Sequence, residues 1–202
     1  IALAMHNYHD VHKCFPAAYI ADADGKPLHS WRVALLPYLE QTTLYDQYNF
    51  NEPWDSPNNM AIAQQMPDIF RCPECPVAIG SNMTNYVVVV GDPSVSPSQS
   101  MFMPNHWTRM GEISDGTSNT IMVIETMMPV PWTQPDADPK FDQFSFGVDA
   151  GPYSISSYHG QGPNVALADG SVRPLSRGTL GDVLRAMIQP ADGGRMDIES
   201  PR

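Results

Sequence analysis

The residues that could do chemistry gather late in the chain, in "SSYHGQGPNVALADGSVRPLS" (156–176), where nine residues separate His159 from the pair Asp169-Gly170. A histidine can take a proton from water, and a carboxylate can orient the ring or help hold a metal, so His159 with Asp169 or Asp115 and a carboxylate such as Glu125 would suit metal-assisted hydrolysis. Against this, the sequence has no G-x-S-x-G elbow, no H-E-x-x-H and no P-loop. The same stretch also reads as a hairpin turning at Asp169-Gly170. A two-residue turn would set Leu167 opposite Val172 and Val165 opposite Pro174. Their shared face is apolar, Pro174 marks an edge strand, and the strand carries His159 and Asp169 to opposite ends.

Other residue sets invite metal chemistry. No cofactor is expected, with calcium the exception to test, for which Asp22 and Asp24 in "DADG" and the Asp115-Gly116 loop are the eligible carboxylates. "DADG" is too short to match an EF-hand loop. Cys72 and Cys75 in "RCPECP" form half of a zinc site, which would need Cys14 and a distant histidine to complete it. They equally allow a disulfide in an exported protein, or a tight Pro-flanked loop. His6, His9 and His12 recur every third residue without an acidic or Cys ligand at helical spacing. They read as a solvated polar face opposite Leu3 and Tyr8.

Composition narrows the classes. The 202 residues suffice for one domain with a sizeable core, while 20 prolines and 14 glycines imply many turns. A net charge of −11 excludes nucleic acid and anionic membrane surfaces as partners, because both need clustered Lys and Arg.

Several elements must position these side chains. A helix is expected from about Ile1 to Lys13, opening as though partway along a longer helix of a precursor. "HSWRVALLPYLEQTTLYDQYNF" continues helical with Ser30 as N-cap and Pro37 dividing it. A short helix is expected over 61–65. "TNYVVVVG" (84–91) and "NTIMVIE" (119–125) read as central strands covered on both faces, with Asp115-Gly116 turning before the second. Between and after them run Pro-rich loops, including 130–143. "TLGDVLRAMIQP" is an amphipathic helix with Thr179 and Asp182 as a capping box and Pro190 as its stop. The polar tail from Ala191 is expected to be partly mobile.

The combination "QTTLYDQYNFNEPWDSPNN", "RCP", "TNYVVVVG", "DGTSNTIMVIE", "VPWTQP" and the H-x9-DG stretch from His159 to Gly170 resembles the planctomycete family of prepilin-like proteins of unknown function. The resemblance spans nearly the whole chain in the family's order. It implies an α+β, pilin-like fold: an N-terminal α-helix packed on an antiparallel β-sheet, with extra short helices and long Pro-rich loops, in a single domain. It also implies an exported, extracytoplasmic subunit, anchored to the membrane in its precursor by a helix ahead of Ile1. Such a subunit would associate with itself or other pilin-like subunits through that helix and build a pilus or secretion-type filament without catalysis. The secreted hydrolase is the first alternative. The second is an envelope or polysaccharide-binding module using Trp54, Trp107 and Trp132 as exposed platforms.

Overall fold

Helical runs early in the chain cover a sheet made from strand-forming runs late in it. The chain runs through α1 (Ala2–His12), a hairpin of β1 (Tyr19–Ala21) and β2 (Pro27–Ser30), α2 (Trp31–Ala34), α3 (Thr42–Gln47) and α4 (Pro57–Ala63). It continues through β3 (Met83–Val87), a small hairpin of β4 (Phe102–Met103) and β5 (His106–Trp107), β6 (Ile121–Pro131), β7 (Asn164–Leu167), β8 (Val172–Pro174) and α5 (Gly181–Ile188). This computed structural model describes residues 1–76 and 81–191, so the expected polar tail from 192 onward lies outside the described residues.

The architecture is mixed α+β. The main sheet is antiparallel with order β3-β6-β7-β8. On one face, Ala2, Met5 and Tyr8 of α1 share a buried cluster with Val88, Met122, Val123 and Ala166. On the other, Leu184, Met187 and Ile188 of α5 cluster with Val87, Ile124, Val165 and Leu167. Alternation along the strands, Val87 to one side and Val88 to the other, divides the two cores. Each fully buried Leu, Met or Ile of α5 stabilises this packing by roughly 1.5–3 kcal/mol.

Several local expectations hold for the physical reasons given. The Ser30 hydroxyl accepts from the Arg32 N–H at 3.3 Å, and the chain breaks at Pro37 into a 3-10 turn, Leu36–Leu39, before α3. Asp115-Gly116 makes its turn, with Gly116 at φ +96°. The short helix starts earlier than expected, because Ser56 caps it and Pro57 opens it. Thr179 does not cap α5: its hydroxyl donates instead to the Ser176 carbonyl at 2.7 Å.

Three larger expectations are corrected. The β7–β8 hairpin pairs Ala166 with Val172 and Val165 with Arg173, one residue out of the expected register. Its loop has three residues, with Gly170 at φ +86° and its N–H donating to the Leu167 carbonyl at 2.9 Å. This is a three-residue hairpin loop closed by a left-handed glycine. The slip carries Val172 to the α1 side of the sheet, where it stays 63 % exposed. Next, β3 occupies an edge and not a central place, and β6 runs on through Pro131 into the expected loop. Finally, His6 and His9 are no solvated face. Both pack on Phe15, with ring centroids 5.7 and 4.9 Å away, while Leu3 points outward.

A buried ion pair covers the end of β3. Arg32 Nη2 lies 2.6 Å from Asp138 Oδ1, and both side chains are fully buried. Arg32 also donates to the Tyr86 carbonyl from Nε and Nη2, at 3.2 and 2.8 Å. Asp138 accepts from the Val88 N–H at 3.0 Å and the Trp31 indole N–H at 3.1 Å. Removing one partner leaves an uncompensated buried charge. Arg32→Met alone is expected to cost about 3–5 kcal/mol in urea unfolding, and Arg32→Met with Asp138→Leu clearly less than the sum of the single changes.

A second buried polar group gives a pH prediction. His29 sits between the Tyr48 hydroxyl and the Phe50 carbonyl, each at 3.1 Å, and burial lowers its pKa from 6.5. Below pH 6.5 the unfolded chain therefore binds more protons at this ring than the folded one. Stability should fall as pH drops from 6.5 until the lower folded pKa is passed. Thermal unfolding of His29→Gln should show a shallower slope across that window than the parent.

Candidate functional site

The site forms where β6 and β7 meet the loop after α4. Glu125 of β6, 5 % exposed, accepts from the Asn164 backbone N–H at 2.8 Å and from Asn164 Nδ2 at 3.2 Å. His159 Nε2 stands 3.5 Å from Glu125 Oε1 and also 3.5 Å from Cys72 Sγ. The histidine is held by its backbone. Its N–H donates to Ser157 Oγ at 3.2 Å, and its carbonyl accepts from the Gly162 N–H at 3.1 Å and Arg177 Nη2 at 3.4 Å. Above this floor opens a cleft of about 380 Å³ whose walls include Ile1, Ile69, Tyr86, Val123 and Val172.

Both neighbours of His159 face the same ring nitrogen. In one tautomer Nε2–H donates toward Glu125; in the other Nε2 accepts from the Cys72 thiol. A nucleophile–base–carboxylate relay instead uses the two ring nitrogens separately, so this is not a hydrolytic triad. Burial pushes the Cys72 thiol pKa up, and the Glu125 charge adds to this. The Glu74 and Cys75 N–H groups pull the other way. Burial likewise lifts Tyr86 to about 12. Cys72, buried behind the cleft lining, therefore rests as a thiol and not as an activated thiolate.

The other candidates lie elsewhere. Asp169 is at the far end of β7, where its Oδ1 accepts from the Ser171 N–H at 2.9 Å and the Ser171 hydroxyl at 2.6 Å. Those bonds lower its pKa. The Asp115-Gly116 turn sits at that same end, since the Asp169 N–H donates to the Thr117 carbonyl at 3.0 Å. His159 thus meets Glu125, as the hydrolase reading allowed, and neither Asp169 nor Asp115. Asp22 makes its own hairpin turn, its Oδ1 accepting from the Asp24 and Lys26 N–H groups. Among the described residues no group of three or more His, Cys, Asp or Glu is placed to hold a metal ion.

All three cysteines are free, with Cys72 and Cys75 joined only by a backbone turn. Trp132 is corrected as a platform: it is fully buried, its indole N–H donating to the Ala63 carbonyl at 2.8 Å. Trp107 remains exposed. The partner that sequence reasoning missed is Cys72, 87 residues from His159, and no local spacing could signal that contact.

An α+β domain with a cleft at one end of an antiparallel sheet is the class these observations define. The family model described as protein of unknown function (DUF1559) matches residues 1–147, and the chain belongs to that family. Cys72 and Glu125 fall within the matched segment, and His159 lies beyond it. No curated protein and no solved structure matches the chain.

Gly162 aims the lead-in from His159 to β7. It has φ +103°, and a Cβ there would stand 2.8 Å from the Leu175 carbonyl oxygen. Gly162→Ala should therefore lose at least about 1–3 kcal/mol from backbone strain alone, read as a lower urea midpoint.

Proposed function

We propose that this domain is the head of an exported, prepilin-like subunit that assembles into a pilus or secretion-type filament and performs no catalysis. The observation that supports it is the placement of α1. One side of this helix is buried on the antiparallel sheet, while Leu3 and Val11, eight residues apart on the other side, are 73 % and 64 % exposed. Two exposed apolar side chains on the helix through which pilin-like subunits pack are suited to contact with a neighbouring subunit. Membrane anchoring by a segment ahead of Ile1 and a place outside the cytoplasm belong to the same proposal, motivated by the sequence resemblance. Among the described residues no helix is long and apolar enough to cross a membrane.

The approach of His159 to Glu125 favours one second reading, a secreted hydrolase acting at the cleft. We prefer the structural reading, because Glu125 and Cys72 approach the same nitrogen of His159 and not the two ring nitrogens a relay uses.

Electron microscopy of the full-length protein expressed in its host tests the proposal. Filaments are expected, and Leu3→Glu with Val11→Glu should abolish them while changing the stability of the isolated domain by only about 0.5 kcal/mol. A persistently monomeric, cytoplasmic protein would overturn it.

A further inference from the structure

We propose that Cys72 and Cys75 are a redox-active dithiol that closes to a disulfide, with His159 as proton acceptor for the closing step and Glu125 as its counter-charge. The inference goes beyond the filament reading and does not depend on it. Cys72-Pro73-Glu74-Cys75 forms a tight turn in which the Cys75 N–H donates to the Cys72 carbonyl at 3.1 Å. A turn of this kind holds its end Cα atoms within about 7 Å, near the span a disulfide bridges. Cys72 is buried and Cys75 partly exposed, so the two thiols differ in access to an outside reagent. The Cys72 thiol also has a ring nitrogen 3.5 Å away, and that nitrogen has a buried carboxylate at the same distance.

These positions order the steps. A small-molecule or protein disulfide, R–S–S–R, meets the accessible thiol first. The Cys75 thiolate attacks one of its sulfurs, forming a Cys75–S–S–R mixed disulfide and expelling the first RS⁻. Cys72 then attacks Cys75 Sγ: the Sγ–Sγ bond forms, the Cys75–SR bond breaks and the second RS⁻ leaves. The Cys72 proton passes to His159 Nε2, and the resulting imidazolium is stabilised by Glu125. Two thiols are oxidised, one external disulfide is reduced to two thiols, and both protons end on those products. The arrangement that is poor for hydrolysis, thiol and carboxylate on one nitrogen, is the one this step needs. The ring takes a proton from one neighbour and presents it to the other.

The test uses the full chain carrying Cys14→Ser, treated with oxidised glutathione and mapped by peptide mass spectrometry. A Cys72–Cys75 disulfide without an accumulating adduct is expected. Cys72→Ser should trap glutathione on Cys75, and Cys75→Ser should leave Cys72 unreacted. His159→Asn, or His159→Gln if the first variant does not fold, should slow closure by on the order of tenfold or more. Adduct formation at Cys75 should keep its rate in the same variant. A glutathione adduct persisting on Cys75 beside a free Cys72, or no reaction at either thiol, would overturn the proposal. Closure at an unchanged rate without the imidazole would overturn the role of His159.

Discussion

The buried pair of Arg32 and Asp138 is the interaction on which the rest of the molecule depends. It links three segments far apart in sequence: the start of α2, the outer edge of β3 and the loop after β6. Desolvating two charges costs several kcal/mol, which the pair offsets only because its donors and acceptors are satisfied from several sides. Ser30, Trp31, Tyr86 and Val88 supply those bonds. The energetic return is modest, but the structural consequence is large. At the end of β3, the Tyr86 carbonyl and the Val88 N–H, which would otherwise be open to another chain, are both bonded.

The same logic separates the two ends of β7. At one end, Asp169 and Gly170 make a turn whose side-chain bonds are spent on Ser171. At the other, Glu125, His159 and Cys72 converge under an apolar cleft, with Asn164 fixing the carboxylate. The second end keeps a polar group whose bonding can change, the His159 ring nitrogen shared between two partners. The H-x9-DG stretch therefore carries a structural turn and a chemically adjustable histidine, kept apart by the strand between them.

Much of this was legible in the sequence where local forces decide. The Ser30 cap, the Pro37 break, the amphipathic α5 and the Asp115-Gly116 turn each follow from a few neighbouring residues. The Asp169-Gly170 turn was legible, but its loop length was not. Asp-Gly fits both a two-residue turn and a three-residue loop closed by a left-handed glycine, and one residue of slip exchanges the faces. The edge place of β3 was hidden because "VVVV" is apolar on both faces, as a central strand would be, and the arginine that covers its edge lies 54 residues earlier. The turn in "NEPWDSPNN" ahead of α4 was not explained by its local residues. Its cause is Asn59, fully buried, whose amide donates to the carbonyls of Asn49, Glu52 and Pro53. Of the candidate site, the types of His159 and Glu125 were readable, but their meeting and the part of Cys72 came from tertiary packing.

If the ion pair secures the end of β3, the backbone beside it must be as hard to open as the centre of the fold. Native-state hydrogen exchange at the Val88 amide, bonded to Asp138 Oδ1 at 3.0 Å, measures this directly. The account predicts protection matching that of the Val123 and Ile124 amides of β6, at the level of global unfolding. Exchange at the fast local rate of an open strand edge would contradict it.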